Sequence, residues 1–160
     1  PAKRLHLRNR PSKIPPREAK RFFGVDELWR PENYVQNNFA PNANGTIADE
    51  STGLAWQQAG SQYPLTWQQA ALYIKEINQL KFAGRDTWRL PTVDELMSLL
   101  TVTPHGEDFC IEPIFETRQR ALWSSDRRSF TAAWYVSIDM GFIAWQDFSA
   151  YFYVRAVADT

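Results

Sequence analysis

Between residues 66 and 100 the apolar positions recur at helical spacing, and beyond residue 104 they break into short pieces and alternate. Ala70, Tyr73, Ile74, Ile77 and Leu80 define the buried stripe of a long helix. Thr66 is suited to cap its N-terminus, Gln69 stands in the capping-box position, and Gly84 ends it. In "DTWRLPTVDELMSLL" (86–100), Thr92 and Glu95 predict a second capping box, with Leu96, Leu99 and Leu100 as its apolar stripe. The residues ahead of it read as structural. Trp88 and Leu90 are expected in the core between the helices, and Pro91 keeps Leu90 extended. Arg89, between two inward residues, is expected to pair with a carboxylate or a run of carbonyls.

The flanking regions follow other periods. Leu5–Leu7 predicts a short strand, and Pro15-Pro16 before "REAKRFFG" predicts a small helix closed by Gly24. Residues 31–45 are turn-rich, and Asn44-Gly45 signals a hairpin into "TIADESTGLAWQ", with Leu54 and Trp56 inward. "AWYVSIDMGFIAWQDF" alternates about Asp139-Met140-Gly141, a hairpin with Trp134, Val136, Ile138 and Ile143 facing in. Tyr135, Ser137, Asp139, Phe142 and Ala144 then face out, and "YFYVRAV" reads as the closing strand. Two helices followed by several short antiparallel strands make the class α+β, with residues 1–39 as an N-terminal extension and 40–160 as the main domain.

Composition narrows the functional classes. One cysteine among 160 residues excludes an internal disulfide and a thiolate metal cluster. No apolar run reaches the roughly 20 residues that span a bilayer. Net charge is zero, yet Lys3, Arg4, Arg8, Arg10, Lys13, Arg17, Lys20 and Arg21 face only Glu18 within residues 1–22. This basic arm lacks interleaved base-stacking aromatics, so we expect it to pack on the acidic body of its own protein, with no nucleic-acid partner. No signal-peptide pattern is visible in this chain, and the compartment stays open between the cytoplasm and display on a cell or virion surface. A monomer is expected.

Several pieces in order carry a family resemblance: "TGLAWQ" (52–57), "TWQQAALYI" (66–74), "FAGRDTWRLPTVDEL" (82–96), "IEPIF" (111–115), "LWSSD" (122–126), "AWYVSID" (133–139) and "YVRAV" (153–157). Over about residues 40–158 the chain resembles the bacterial domain of unknown function 1566, of the Legionella collagen-like adhesin C-terminal type. That resemblance implies a C-type-lectin-like fold and a ligand-binding role.

Catalytic and metal chemistry find little support. His6 and His105 lack ligand spacing, and Cys110 sits in an apolar piece as a small core residue. Ser124-Ser125-Asp126 has no accompanying nucleophile elbow, so its hydroxyls are expected to cap backbone groups. Glu112-Pro113 and Trp145-Gln146-Asp147 faintly resemble the EPN and WND calcium motifs of C-type lectins. Ile114 and Gln146 replace the oxygen ligand and the central Asn, so no metal and no cofactor are expected. The formylglycine-generating enzymes share the related fold but use paired cysteines, so a catalytic role is disfavoured.

The remaining signal is an excess of aromatics in residues 127–152, which resembles a paratope of rigid rings among small polar residues. The expected ligand-binding set is Phe130, Tyr135, Ser137, Asp139, Phe142, Ala144, Trp145, Gln146, Phe148, Ala150, Tyr151 and Phe152. The competing reading is a second small core under the loop. Domains of this type also serve as variable proteins of diversity-generating retroelements. Most of these positions are reachable from asparagine codons, but Met140, Trp145 and Gln146 are not. Three functions follow: a display module for a protein or glycan ligand, an adhesin-like glycosaminoglycan binder using the arm or Arg127-Arg128, and an enzyme of the formylglycine-generating group.

Overall fold

The computed structural model describes residues 3–105 and 109–160. Helix α1 (Pro16–Phe23) begins with proline in its first turn and ends at Gly24, whose φ of 71° is a left-handed cap. A hairpin follows, β1 (Phe39–Pro41) and β2 (Thr46–Asp49), and then β3 (Leu54–Gln57). Asn44 and Gly45 make the hairpin turn: the Asn44 carboxamide accepts from the Thr46 amide and hydroxyl, and Gly45 has φ +82°. Helix α2 (Trp67–Gln79) and helix α3 (Val93–Met97) both carry full capping boxes, Thr66–Gln69 and Thr92–Glu95. The strands β4 (Leu100–His105), β5 (Phe109–Ile111), β6 (Ala121–Arg127), β7 (Ala132–Ser137), β8 (Phe142–Asp147) and β9 (Val157–Asp159) complete an α+β chain.

Among the described residues the strands pair antiparallel in three small sheets: β1-β2-β3-β9, β4-β5 and β6-β7-β8. The main core joins elements far apart in sequence. Ile14, Phe23 and Val25 from the N-terminal segment pack with Ile47, Trp56, Leu96, Leu99, Leu100, Trp134, Val136 and Ile138. A second cluster holds Trp88 with Ala55, Ile77, Ala156 and Ala158. Trp88 is 2% exposed, and its indole N–H donates to the Phe82 carbonyl at 3.0 Å. Arg89 donates a fork of two bonds to Glu95, 2.7 and 2.6 Å, as its position between inward residues predicted.

Several expectations need correction. Leu80 is 73% exposed because α2 stops at Gln79 and Leu80 is its C-cap, so the apolar stripe ends one turn earlier. A turn at Phe82–Gly84 then reverses the chain, with Lys81 and Ala83 at positive φ. Leu90 is half-buried in a third cluster with Ala70, Trp123 and Val154, apart from that of Trp88. Residues 5–7 form no strand; Leu5 makes one backbone bond, to the Ser51 carbonyl. The closing strand is Val157–Asp159, whereas Phe152 and Tyr153 make only single bridges, to Leu65 and Leu122.

Candidate ligand-binding face

The β6-β7-β8 sheet is covered on both faces, and that decides what its aromatics do. Trp134, Val136 and Ile143 point into the main core, where Phe23 meets Trp134 edge-on. On the opposite face Trp123 and Ala144 lie opposite Tyr135 on its two neighbouring strands, and Ala133 lies beside it in β7. Here α2 and the segment after β8 close over the sheet. Phe148 stacks on Trp67 at 4.4 Å between centroids, Tyr135 stacks on Phe152 at 4.1 Å, and Trp123 meets Phe152 edge-on at 4.9 Å. Burial pushes the Tyr135 hydroxyl above its ordinary pKa.

The expected binding residues therefore separate. Phe130 (77% exposed), Trp145 (39%) and Tyr151 (62%) present large apolar surface to solvent, and Gln146, which follows Trp145 in β8, is exposed as well. Tyr135, Phe148, Ala150 and Phe152 are half-buried in the third cluster. Phe142 and Ala144 are also half-buried, and half-buried Asp139 pairs with Arg120 at 3.4 Å. Ser137 corrects the outward expectation. It is 6% exposed and its hydroxyl accepts the Met140 amide, so it builds the hairpin turn.

Cations gather where the exposed rings stand, around the turn 128–131 that joins β6 to β7. The Arg128 guanidinium lies 3.8 Å from the Trp145 ring centroid, and its Nε is buried without a hydrogen-bond partner among the described residues. Lys13 Nζ lies 4.5 Å from the Phe130 centroid and the Arg127 guanidinium 5.9 Å from it. Among the described residues no carboxylate forms an ion pair with Lys13, Arg127 or Arg128. Arg127 and Arg128 were legible as an adjacent basic pair. Lys13 at the same turn was not, because nothing local in sequence links it to residue 130.

The local scaffold explains why the turn is held so firmly. Asp126 is fully buried and accepts from Arg8 (2.8 and 2.7 Å), the Ser12 amide (2.9 Å) and the Val93 amide (2.8 Å). Ser124 donates to the Trp134 carbonyl at 2.7 Å, so this serine of "WSSD" satisfies backbone, as expected. The arginine of "YVRAV" is structural as well. Arg155 has no exposed surface and donates to the carbonyls of Gln57, Gln58 and Glu116, and burial pulls its pKa down to about 9. Those acceptors border an open cleft of about 640 Å³ between β3, α2 and residues 113–116.

Residues 45–158 match the model of the Lcl C-terminal domain. The chain belongs to that family. Membership points to an adhesin-like ligand-binding module, and the basic arm lies outside the matched Lcl C-terminal domain. No curated protein matches the chain. Among the described residues no group of three or more His, Cys, Asp or Glu converges as a metal site, and no helix is long and apolar enough to cross a membrane.

Proposed function

We propose that this domain is a non-catalytic, adhesin-like module that binds an anionic glycan on the face around residues 127–151. The observation that carries the reading is the Arg128–Trp145 stack beside the Phe130 turn, with cations that form no ion pair with a carboxylate among the described residues. Flat exposed rings suit the apolar faces of sugar rings, and unpaired guanidinium groups suit sulfate or carboxylate, which they can hold through paired N–H donors. Phe130, Trp145, Gln146 and Tyr151 supply the wet surface at the end of a sheet packed on both faces, and that support lowers the entropy cost of ordering it.

The finer expectation of a lectin-like display scaffold diversified by a retroelement belongs to the same proposal. A template repeat with adenine-directed differences beside the coding region would support it, and a locus without one would remove it.

The test compares the full chain on dextran sulfate, unsulfated dextran and polyglutamate. Dextran sulfate should bind best, and binding should weaken as salt rises because exposed charges are screened. Phe130→Ser should weaken dextran sulfate binding while leaving polyglutamate binding nearly unchanged. Equal binding to dextran and dextran sulfate, or equal loss on both polyanions, would refute the reading.

A further inference from the structure

We propose that the N-terminal arm completes this face, with Lys13 as a ligand-contact residue and Arg8 as the positioning residue that sets it through Asp126. The inference rests on the anionic-ligand reading and adds to it a residue outside the segment that matches the family.

The arm is built into the sheet at this point. The Arg127 amide donates to the Ser12 carbonyl (2.9 Å) and the Ile14 amide to the Arg127 carbonyl (2.8 Å), so residues 12–14 run as a short parallel bridge beside the end of β6. Ile14 is 2% exposed, and its carbonyl accepts the Trp134 indole N–H at 2.9 Å. In an extended segment successive side chains point to opposite sides. Burial of Ile14 therefore turns Lys13 outward, where it is exposed above the Phe130 ring.

Lys13 and Arg127 thus approach one exposed ring, and among the described residues no carboxylate forms an ion pair with either. Each cation is attracted by the negative face of the ring. An anion seated over the ring would be attracted by both cations at once. Arg8 has a different part. Both of its terminal nitrogens are spent on Asp126, its Nε reaches Asp94 at 3.3 Å, and its carbonyl accepts the Thr92 hydroxyl at 2.8 Å. Its charge is already compensated, so it holds the arm and leaves the ligand to Lys13.

The experiment titrates the full chain with dextran sulfate across a salt series, with thermal midpoints measured on each variant. Lys13→Gln should bind about threefold more weakly, the contribution of one exposed ion pair, with a shallower salt dependence and an unchanged midpoint. Lys13→Arg should restore both the affinity and the salt slope. Arg8→Lys should weaken binding with the slope unchanged, because it loosens the arm without removing a contact charge. Parental affinity in Lys13→Gln, or weakening without a change of slope, overturns the contact role. A reduced slope in Arg8→Lys overturns the positioning role. Parent protein that does not prefer dextran sulfate overturns the functional reading itself. Binding that falls in Arg128→Ser but not in Lys13→Gln overturns only the part assigned to the arm.

Discussion

The ring of Phe148 lies flat on the indole of Trp67, centroids 4.4 Å apart and planes 10° from parallel. The Trp67 amide also donates to the Phe148 carbonyl at 3.0 Å, and the indole N–H donates to the Ser124 carbonyl at 2.9 Å. One pair of residues thereby ties the first turn of α2, the segment after β8 and the strand β6. An aromatic that sequence alone places in a surface loop is part of the framework beneath the surface.

This gives a direct prediction. Phe148→Ala should lower stability by about 1–3 kcal/mol, less than for a fully buried Phe because the ring is half-exposed. Tyr151→Ala, at a residue 62% exposed, should stay within about 0.5 kcal/mol of the parent. Chemical denaturation of both variants measures this, and equal losses would contradict the division between framework and surface rings.

Trp88 makes a larger prediction. The residue is 2% exposed, and its backbone exchanges two hydrogen bonds with the Asn78 side chain, each 2.8 Å. Trp88→Ala should cost about 3–5 kcal/mol by emptying the site between Ile77 and Ala156. A midpoint equal to that of the parent would contradict the core placement.

Acid titration should expose Asp94. Burial raises its pKa above the ordinary carboxylate value, although Arg8 opposes the shift. The native state then holds the Asp94 proton more tightly than the unfolded chain does. The ionised form costs stability at neutral pH, and that cost fades as pH falls through the raised native pKa toward the unfolded value. The midpoint of Asp94→Asn relative to the parent should accordingly be more favourable at pH 7 than at pH 4. A gap that widens toward acid would show that the carboxylate is held in its charged form.

Calcium should have no effect on folding. Glu112 lies 3.8 Å from His105, and the calcium-like segment around Trp145 is occupied by the Arg128 stack. Melting with chelator and with millimolar calcium should give one midpoint, because a ligand of the native state raises it by mass action. A calcium-dependent rise would reinstate the lectin-type metal site.

Local chemistry in the sequence determined most of the framework. Thr66–Gln69 and Thr92–Glu95 are capping boxes because a hydroxyl and a carboxamide or carboxylate three residues on satisfy the first backbone donors wherever such a helix starts. Gly24, Gly45 and Gly141 mark turns because their positive φ favours glycine, and the alternation from Trp134 to Ile138 follows from the two-residue period of a strand. Tertiary structure alone decided which outward residues stay wet. Alternation says that Tyr135 leaves the main core, but only the arrival of Phe152 and of α2 covers its ring. Lys13 reaches Phe130 through long-range contacts: residues 12–14 bridge to Arg127, Ile14 is buried, and the buried Asp126 carboxylate accepts from Arg8 and the Ser12 amide. Contacts between residues more than a hundred positions apart depend on which surfaces the packed elements close over, and a short-range pattern carries no record of that.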